Sequence, residues 1–191
     1  ASLVAALNNL DEGRGYANVA GAYWAHGHGV EVSPIERLER LAPPYEGLDA
    51  FDLSRYWPEA AVEQPIPGGM MTSRGCPARC TFCANYVTGR VFRFRPAEDV
   101  VAEMVTLTQE HGIVTVPFWD DAFTANRPRL RALCEAIIQE TALSEVSWTC
   151  ITPANMVKPA DLRVMREAGC SAINFGIESG DAGVLRDIQK G

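Results

Sequence analysis

In the second half of this chain, apolar residues recur at helical spacing, and short β-branched runs separate the helical stretches. Pro96 opens the first helix, with Glu98 and Asp99 in its first turn. Val100, Val101, Met104, Val105 and Leu107 follow at helical spacing, and Gly112 closes it. Residues 113–119 are apolar and β-branched, a buried strand despite Pro117 near its end. Asn126 and Pro128 start a second helix with Leu130, Leu133, Cys134, Ile137 and Ile138 on one face. Residues 146–151 form the next strand. Pro159 starts a third helix, bearing Leu162 and Met165 and closed by Gly169. Residues 170–177 are a further strand, and Asp181 begins one more helix. With 70–73 as a first short extended run, strand then helix repeats four times. That order predicts an α/β fold with a parallel sheet and right-handed crossovers. Four units fall short of closing a barrel, so the expected architecture is a partial (β/α) TIM-like barrel. Polar residues gather where strands end, at the cysteine loop, Asp120-Asp121, Thr152 and Glu178-Ser179. In barrel-like folds that rim binds ligands.

The first 66 residues differ in character and predict an irregular, hairpin-bearing N-terminal segment. Helical periodicity is confined to 3–10. Residues 16–24 and 30–32 read as extended runs, with His26-Gly27-His28-Gly29 as the turn between them. Pro43-Pro44 and the stretch 48–67, with Pro58, Pro65 and Pro67, read as an irregular linker. Its Phe51, Leu53, Tyr56 and Trp57 predict that it packs on a surface. The chain stops at Lys190-Gly191, inside or just after a helix, which reads as a piece of a longer protein.

Composition narrows the function classes. Apolar residues are 47% and charged residues 21% of the 191, as in ordinary globular domains. A net charge of −7 and the lack of a basic stretch argue against nucleic acid as a partner. No apolar run approaches the ~20 residues that span a bilayer, and the N-terminus lacks the order of a signal peptide. Of six cysteines, Cys76, Cys80 and Cys83 crowd into eight residues, while Cys134, Cys150 and Cys170 sit singly in apolar patterns. That distribution favours a metal site in the reducing cytoplasm over a disulfide framework.

Cys76-Pro-Ala-Arg-Cys80-Thr-Phe-Cys83 is the sharpest feature. Thiolate sulfur is the preferred iron–sulfur ligand, and a compact loop can wrap three sulfurs around one face of a cubane. Three ligands leave one iron of a 4Fe–4S cluster open to a substrate or cofactor. Gly75 and Pro77 shape the loop, glycine by permitting close backbone approach and proline by fixing φ. A zinc knuckle would need a further Cys or His pair, and only His111 follows within fifty residues, at a helix end. The rival reading from another class is a non-catalytic zinc- or iron–sulfur-binding module.

Four stretches carry a resemblance: Thr72-Ser-Arg-Gly-Cys-Pro, 93–103, Phe118-Trp-Asp-Asp-Ala-Phe-Thr124, and 168–180 with Phe175-Gly-Ile-Glu-Ser-Gly180. Over about 68–191 the sequence is similar to the radical S-adenosylmethionine superfamily, and the wider context resembles its cobalamin-binding-domain-containing branch. Residues 1–66 resemble the tail of such an upstream domain and its linker, and 67–191 the N-terminal part of the radical core. The Asp-x-His-x-x-Gly element that ligates cobalt in such domains does not occur here, so cobalamin enters only as a cofactor of the full-length protein.

The resemblance implies that Cys76, Cys80 and Cys83 hold a 4Fe–4S cluster whose open iron is chelated by S-adenosylmethionine. One electron then cleaves the sulfonium to methionine and a 5′-deoxyadenosyl radical, which abstracts hydrogen from a small-molecule substrate. The reductant would be flavodoxin- or ferredoxin-like. Phe82 would contact the adenine, where the plainer reading is loop packing. Asp120 or Asp121 would meet the cofactor's ammonium; both also suit a turn or helix cap. The family's usual element there is Gly-Gly-Glu, from which this sequence departs. Glu178 would accept the ribose hydroxyls, or else is a turn acid before a helix. Arg93 and Arg95 read as solvated, His26 and His28 as exposed, and Cys134, Cys150 and Cys170 as inert core thiols. Methyl transfer, ring formation and methylthiolation all remain open.

Overall fold

The computed structural model describes residues 23–26, 29–32, 69–85 and 90–190. The expected helix at 3–10 and linker at 48–67 lie outside them. The chain divides into two units, Ala1–Leu41 and Ala42–Gly191.

In the first unit, β1 (Tyr23–His26) pairs antiparallel with β2 (Gly29–Val32). A hairpin was expected, but its ladder runs further: His26 and Gly29, read as turn residues, are paired strand residues. Two residues suffice to connect antiparallel strands.

The second unit is built on three parallel strands in spatial order, β5 (Thr115–Phe118), β6 (Ser147–Pro153) and β7 (Cys170–Gly176). Before them come β3 (Ser73–Arg74), β4 (Arg93–Phe94) and helix α1 (Ala97–His111). Helix α2 (Arg127–Gln139) joins β5 to β6, α3 (Pro159–Glu167) joins β6 to β7, and α4 (Ala182–Asp187) follows β7. The helix boundaries follow local chemistry. Gly112 ends α1 in the left-handed conformation at φ 68°. The Asn126 side chain accepts the Arg129 N–H at the start of α2, and Asp181 accepts that of Val184 at the start of α4.

The first strand is shorter than its sequence suggests. Instead of an extended run over 70–73, Met70 alone bridges to Phe118, donating to Pro117 O at 2.9 Å and accepting from Trp119 N at 2.8 Å. Pro117 has no N–H to add a rung on one side. On the other side, the N–H of Thr72 is captured by Asp120 Oδ1 at 2.6 Å. The chain then turns away, and Ser73–Arg74 pairs antiparallel with Arg93–Phe94, a ribbon that the sequence pattern does not announce.

Between sheet and helices lies the core: Val100, Met104 and Leu107 of α1, Leu130, Leu133 and Ile137 of α2, and Met165 of α3. Phe118, Phe123 and Trp148 pack with ring centroids 5.2–5.3 Å apart, and Trp148 Nε1 donates to Ala168 O at 2.6 Å. Strand β6 alternates buried and half-buried along its whole length, so Trp148, Cys150 and Thr152 share the buried face. Ile138, expected on the buried face of α2, is exposed instead. β7 buries only Cys170, and Phe175 is exposed, because among the described strands it pairs on one side alone. No helix among the described residues is long and apolar enough to cross a membrane.

Candidate metal and cofactor site

The three clustered cysteines lie on the loop that leaves β3, and all six thiols of the chain are free. Cys76 and Cys80 are buried while Cys83 is exposed. Burial pushes the Cys76 thiol up. Charges on Cys80, Asp121 and Cys83 push the same way, against a backbone hydrogen bond from Ala78. Three sulfurs and a carboxylate thus crowd one neighbourhood, where charge on its neighbours opposes ionisation of Cys76. An iron–sulfur core supplies the positive charge that lets three thiolates coexist, so the donor set fits such a group. Among the described residues no three His, Cys, Asp or Glu side chains converge on a point; what this loop presents is the set of donors.

The fold holds the loop at both ends. Gly75 has φ 86°, and its N–H donates to Asp121 Oδ2 at 2.9 Å. Asn85, which sequence reasoning passed over, donates through Nδ2 to Cys76 O at 3.2 Å and to Ala78 O at 2.9 Å. Thr81 N donates to Ile188 O at 3.0 Å, tying the loop to the end of α4. Gly75 is required here, because a Cβ would sit 2.1 Å from Val91 O on a left-handed backbone. Gly75→Ala is therefore expected to remove most of the iron and sulfide that the reconstituted chain retains, as measured per chain against wild type. Full loading of this variant would show that the loop tolerates a shifted entry.

The adjacent aspartates part company. Asp120 is 1% exposed, and its carboxylate accepts from Thr72 N at 2.6 Å, Thr72 Oγ1 at 2.5 Å and Ser73 Oγ at 2.6 Å. The Arg129 guanidinium lies 3.8 Å away, donates to Thr72 Oγ1 and Phe123 O, and rests over the Phe123 ring. Burial pulls Arg129 down and Asp120 opposes that. Asp121 is exposed beside the cysteine loop. Thr152, expected at the ligand rim, is buried and shares a 2.7 Å hydrogen bond with Thr124.

Glu178 follows β7 on a left-handed backbone, φ 62°, which non-glycine residues rarely adopt. Its Oε1 lies 2.7 Å from Lys190 Nζ, and that ammonium also stands 5.6 Å from the centre of the Phe82 ring. Phe82 is exposed rather than packed within its loop. A cavity of about 780 Å³ opens here, lined by Arg79, Cys80, Pro153, Met156, Leu185 and Lys190 among others. The structure thus brings Glu178 and Phe82 to Lys190, which sequence reasoning missed, and Lys190 also lines the cavity that Cys80 borders.

Two readings need correction. Arg95, expected solvated, bonds Met71 O and Asp99 O and pairs with the buried Glu103 at 2.5 Å. Cys134, Cys150 and Cys170, read as singly placed, are neighbours in space. Cys150 hydrogen-bonds Cys170, which with burial raises its thiol, and burial pushes Cys134 up to about 12.

A cysteine loop entering at the carboxyl end of a parallel β/α sheet is the architecture of a partial (β/α) barrel. The model of the radical SAM superfamily matches residues 70–191, and the chain belongs to that superfamily. It is 31% identical to an uncharacterized methyltransferase PH0819 of Pyrococcus horikoshii, covering 97% of this chain and 40% of that protein. It is 27% identical to the anaerobic magnesium-protoporphyrin IX monomethyl ester cyclase of Synechocystis, over 100% of this chain and 37% of that one. Among solved structures, the radical S-adenosylmethionine methyltransferase TsrM of Kitasatospora setae, with cobalamin and a 4Fe–4S cluster bound, superimposes with a TM-score of 0.72. That match has 19% identity and covers 96% of this chain and 37% of the other. The chain therefore spans well under half the length of these proteins.

Proposed function

We propose that these residues form the N-terminal part of the catalytic core of a radical S-adenosylmethionine enzyme, with Cys76, Cys80 and Cys83 holding a 4Fe–4S cluster. The observation that carries this reading is the loop of three free thiols beside a cavity of about 780 Å³ at the carboxyl end of a parallel sheet. When bound, such a cluster supplies the electron that cleaves S-adenosylmethionine reductively to a 5′-deoxyadenosyl radical. The chain's own side chains bind and orient the cofactor. Asp121 receives its ammonium, since both oxygens of Asp120 are committed to Thr72 and Ser73. Glu178 accepts the ribose hydroxyls, and the exposed Phe82 ring lies against the adenine.

For the complete protein we propose cobalamin-dependent methyl transfer, or the related ring-forming chemistry, on a small-molecule substrate. The methyltransferase and cyclase relatives support this, as does the cobalamin-bearing structural neighbour. Residues 1–66 then end an upstream cobalamin-binding-like domain and its linker, and 67–191 begin the radical core. A flavodoxin- or ferredoxin-like protein supplies electrons, and six free thiols suit the cytoplasm. The test is anaerobic reconstitution with metal analysis, then electron paramagnetic resonance of the dithionite-reduced protein. Iron and sulfide should both be bound, and the reduced signal should change when S-adenosylmethionine is added. Zinc without sulfide would assign the chain to the non-catalytic metal-binding modules instead.

A further inference from the structure

We infer that Lys190 is a positioning residue for ribose recognition, holding the Glu178 carboxylate and the Phe82 ring in one constellation; this rests on the cofactor reading above. The Lys190 side chain is 13% exposed, half-buried against two partners instead of extended into solvent. Its partners are Glu178 Oε1 at 2.7 Å and the face of Phe82 at 5.6 Å, within cation–π range. Gly176, at the end of β7, leaves the room this needs. A Cβ there would lie 2.8 Å from Lys190 Nζ and 3.2 Å from Glu178 Oε1. The backbone fixes the same geometry, because Lys190 N donates to Leu185 O at 2.8 Å and Ile188 O accepts from Thr81 of the cysteine loop.

Glu178 stands on an exposed loop, where a lone carboxylate would sample several rotamers. Lys190 takes one of its oxygens and leaves the other for ligand hydroxyls. Lys190 therefore acts through Glu178 and need not touch the reacting atoms.

The experiment compares wild type, Lys190→Met, Lys190→Arg, Glu178→Gln and the Glu178→Gln/Lys190→Met double variant after anaerobic reconstitution. Iron and sulfide are counted. Dissociation constants are measured for S-adenosylmethionine and for its analogue lacking both ribose hydroxyls. All variants should keep their iron. Lys190→Met should weaken S-adenosylmethionine binding about tenfold or more, the usual scale for a charged hydrogen-bond acceptor. Lys190→Arg should retain binding, because a guanidinium preserves the charge. The double variant should bind no more weakly than Glu178→Gln alone, and the analogue should bind wild type and Lys190→Met alike. Unchanged affinity in Lys190→Met, additive losses in the double variant, a parallel loss for the analogue, or lost iron would each overturn the inference. A wild-type protein that takes up no iron and sulfide, or whose cluster ignores S-adenosylmethionine, would instead overturn the cofactor reading.

Discussion

Replacing any one of Cys76, Cys80 or Cys83 with alanine is expected to abolish iron and sulfide binding, whereas alanine at Cys134, Cys150 or Cys170 leaves both at wild-type levels. The two sets of thiols have opposite surroundings. The first three share a loop bounded by Gly75 and Asn85, where burial and the neighbouring Cys80, Asp121 and Cys83 push the Cys76 thiol up and a cationic core relieves it. Removing one sulfur from a three-ligand loop leaves two, too few for a cluster that must also keep one iron open. The second three lie in the core behind the sheet: burial and the Cys150–Cys170 hydrogen bond keep Cys134 and Cys150 protonated near neutrality, while Cys170, whose thiol that bond lowers, is engaged with Cys150 and Ala172 O. Protonated thiols are poor metal ligands. Their loss removes packing and shows up as lower stability, not as lost colour. The measurement is iron and sulfide per chain after anaerobic reconstitution, with urea unfolding alongside. A cluster that survives Cys80→Ala but vanishes in Cys170→Ala would reverse the assignment.

The parts of this molecule that were legible in the sequence share a physical feature: they are decided locally. Pro96 and Gly112 bound α1, Asn126 caps α2 and Asp181 caps α4, each through a contact within a few residues. The cysteine loop is legible for the same reason, since its donors lie within eight residues. The missed features depend on partners distant along the chain. The run 70–73 has the composition of a strand, yet the Thr72 N–H goes to Asp120, forty-eight residues on. Arg95 looked solvated because nothing in its immediate sequence says that Glu103 will be buried beside it. Lys190 reads as an ordinary polar residue near a helix end until the fold brings it onto Gly176 and Glu178. Cys150 and Cys170 sit in separate strands, and only the β6–β7 pairing makes them neighbours.

Asp120 and Asp121 are indistinguishable by sequence position, and the structure predicts opposite failures for them. Asp120→Ala should destabilise the fold by about 3–5 kcal/mol, the scale on which breaking a buried pair leaves a charge uncompensated. Arg129 is the charge left behind, 4% exposed at its side chain, and Thr72 and Ser73 lose the acceptor that turns the chain out of the sheet. The cysteine loop follows at once, so iron binding should fail together with stability. Asp121 stands in water and holds a single backbone N–H, that of Gly75. Asp121→Ala should therefore unfold within about 1 kcal/mol of wild type, as the loss of one partly buried hydrogen bond allows. Its deficit should appear in the cofactor instead: S-adenosylmethionine binding weaker by about tenfold or more, with iron retained, because a charged contact to the ammonium is gone. Urea midpoints, iron content and equilibrium dialysis on the two variants separate these outcomes. If Asp121→Ala binds the cofactor normally while a folded, iron-loaded Asp120→Asn does not, the ammonium belongs to Asp120, and its bonds to Thr72 and Ser73 must give way when the cofactor arrives.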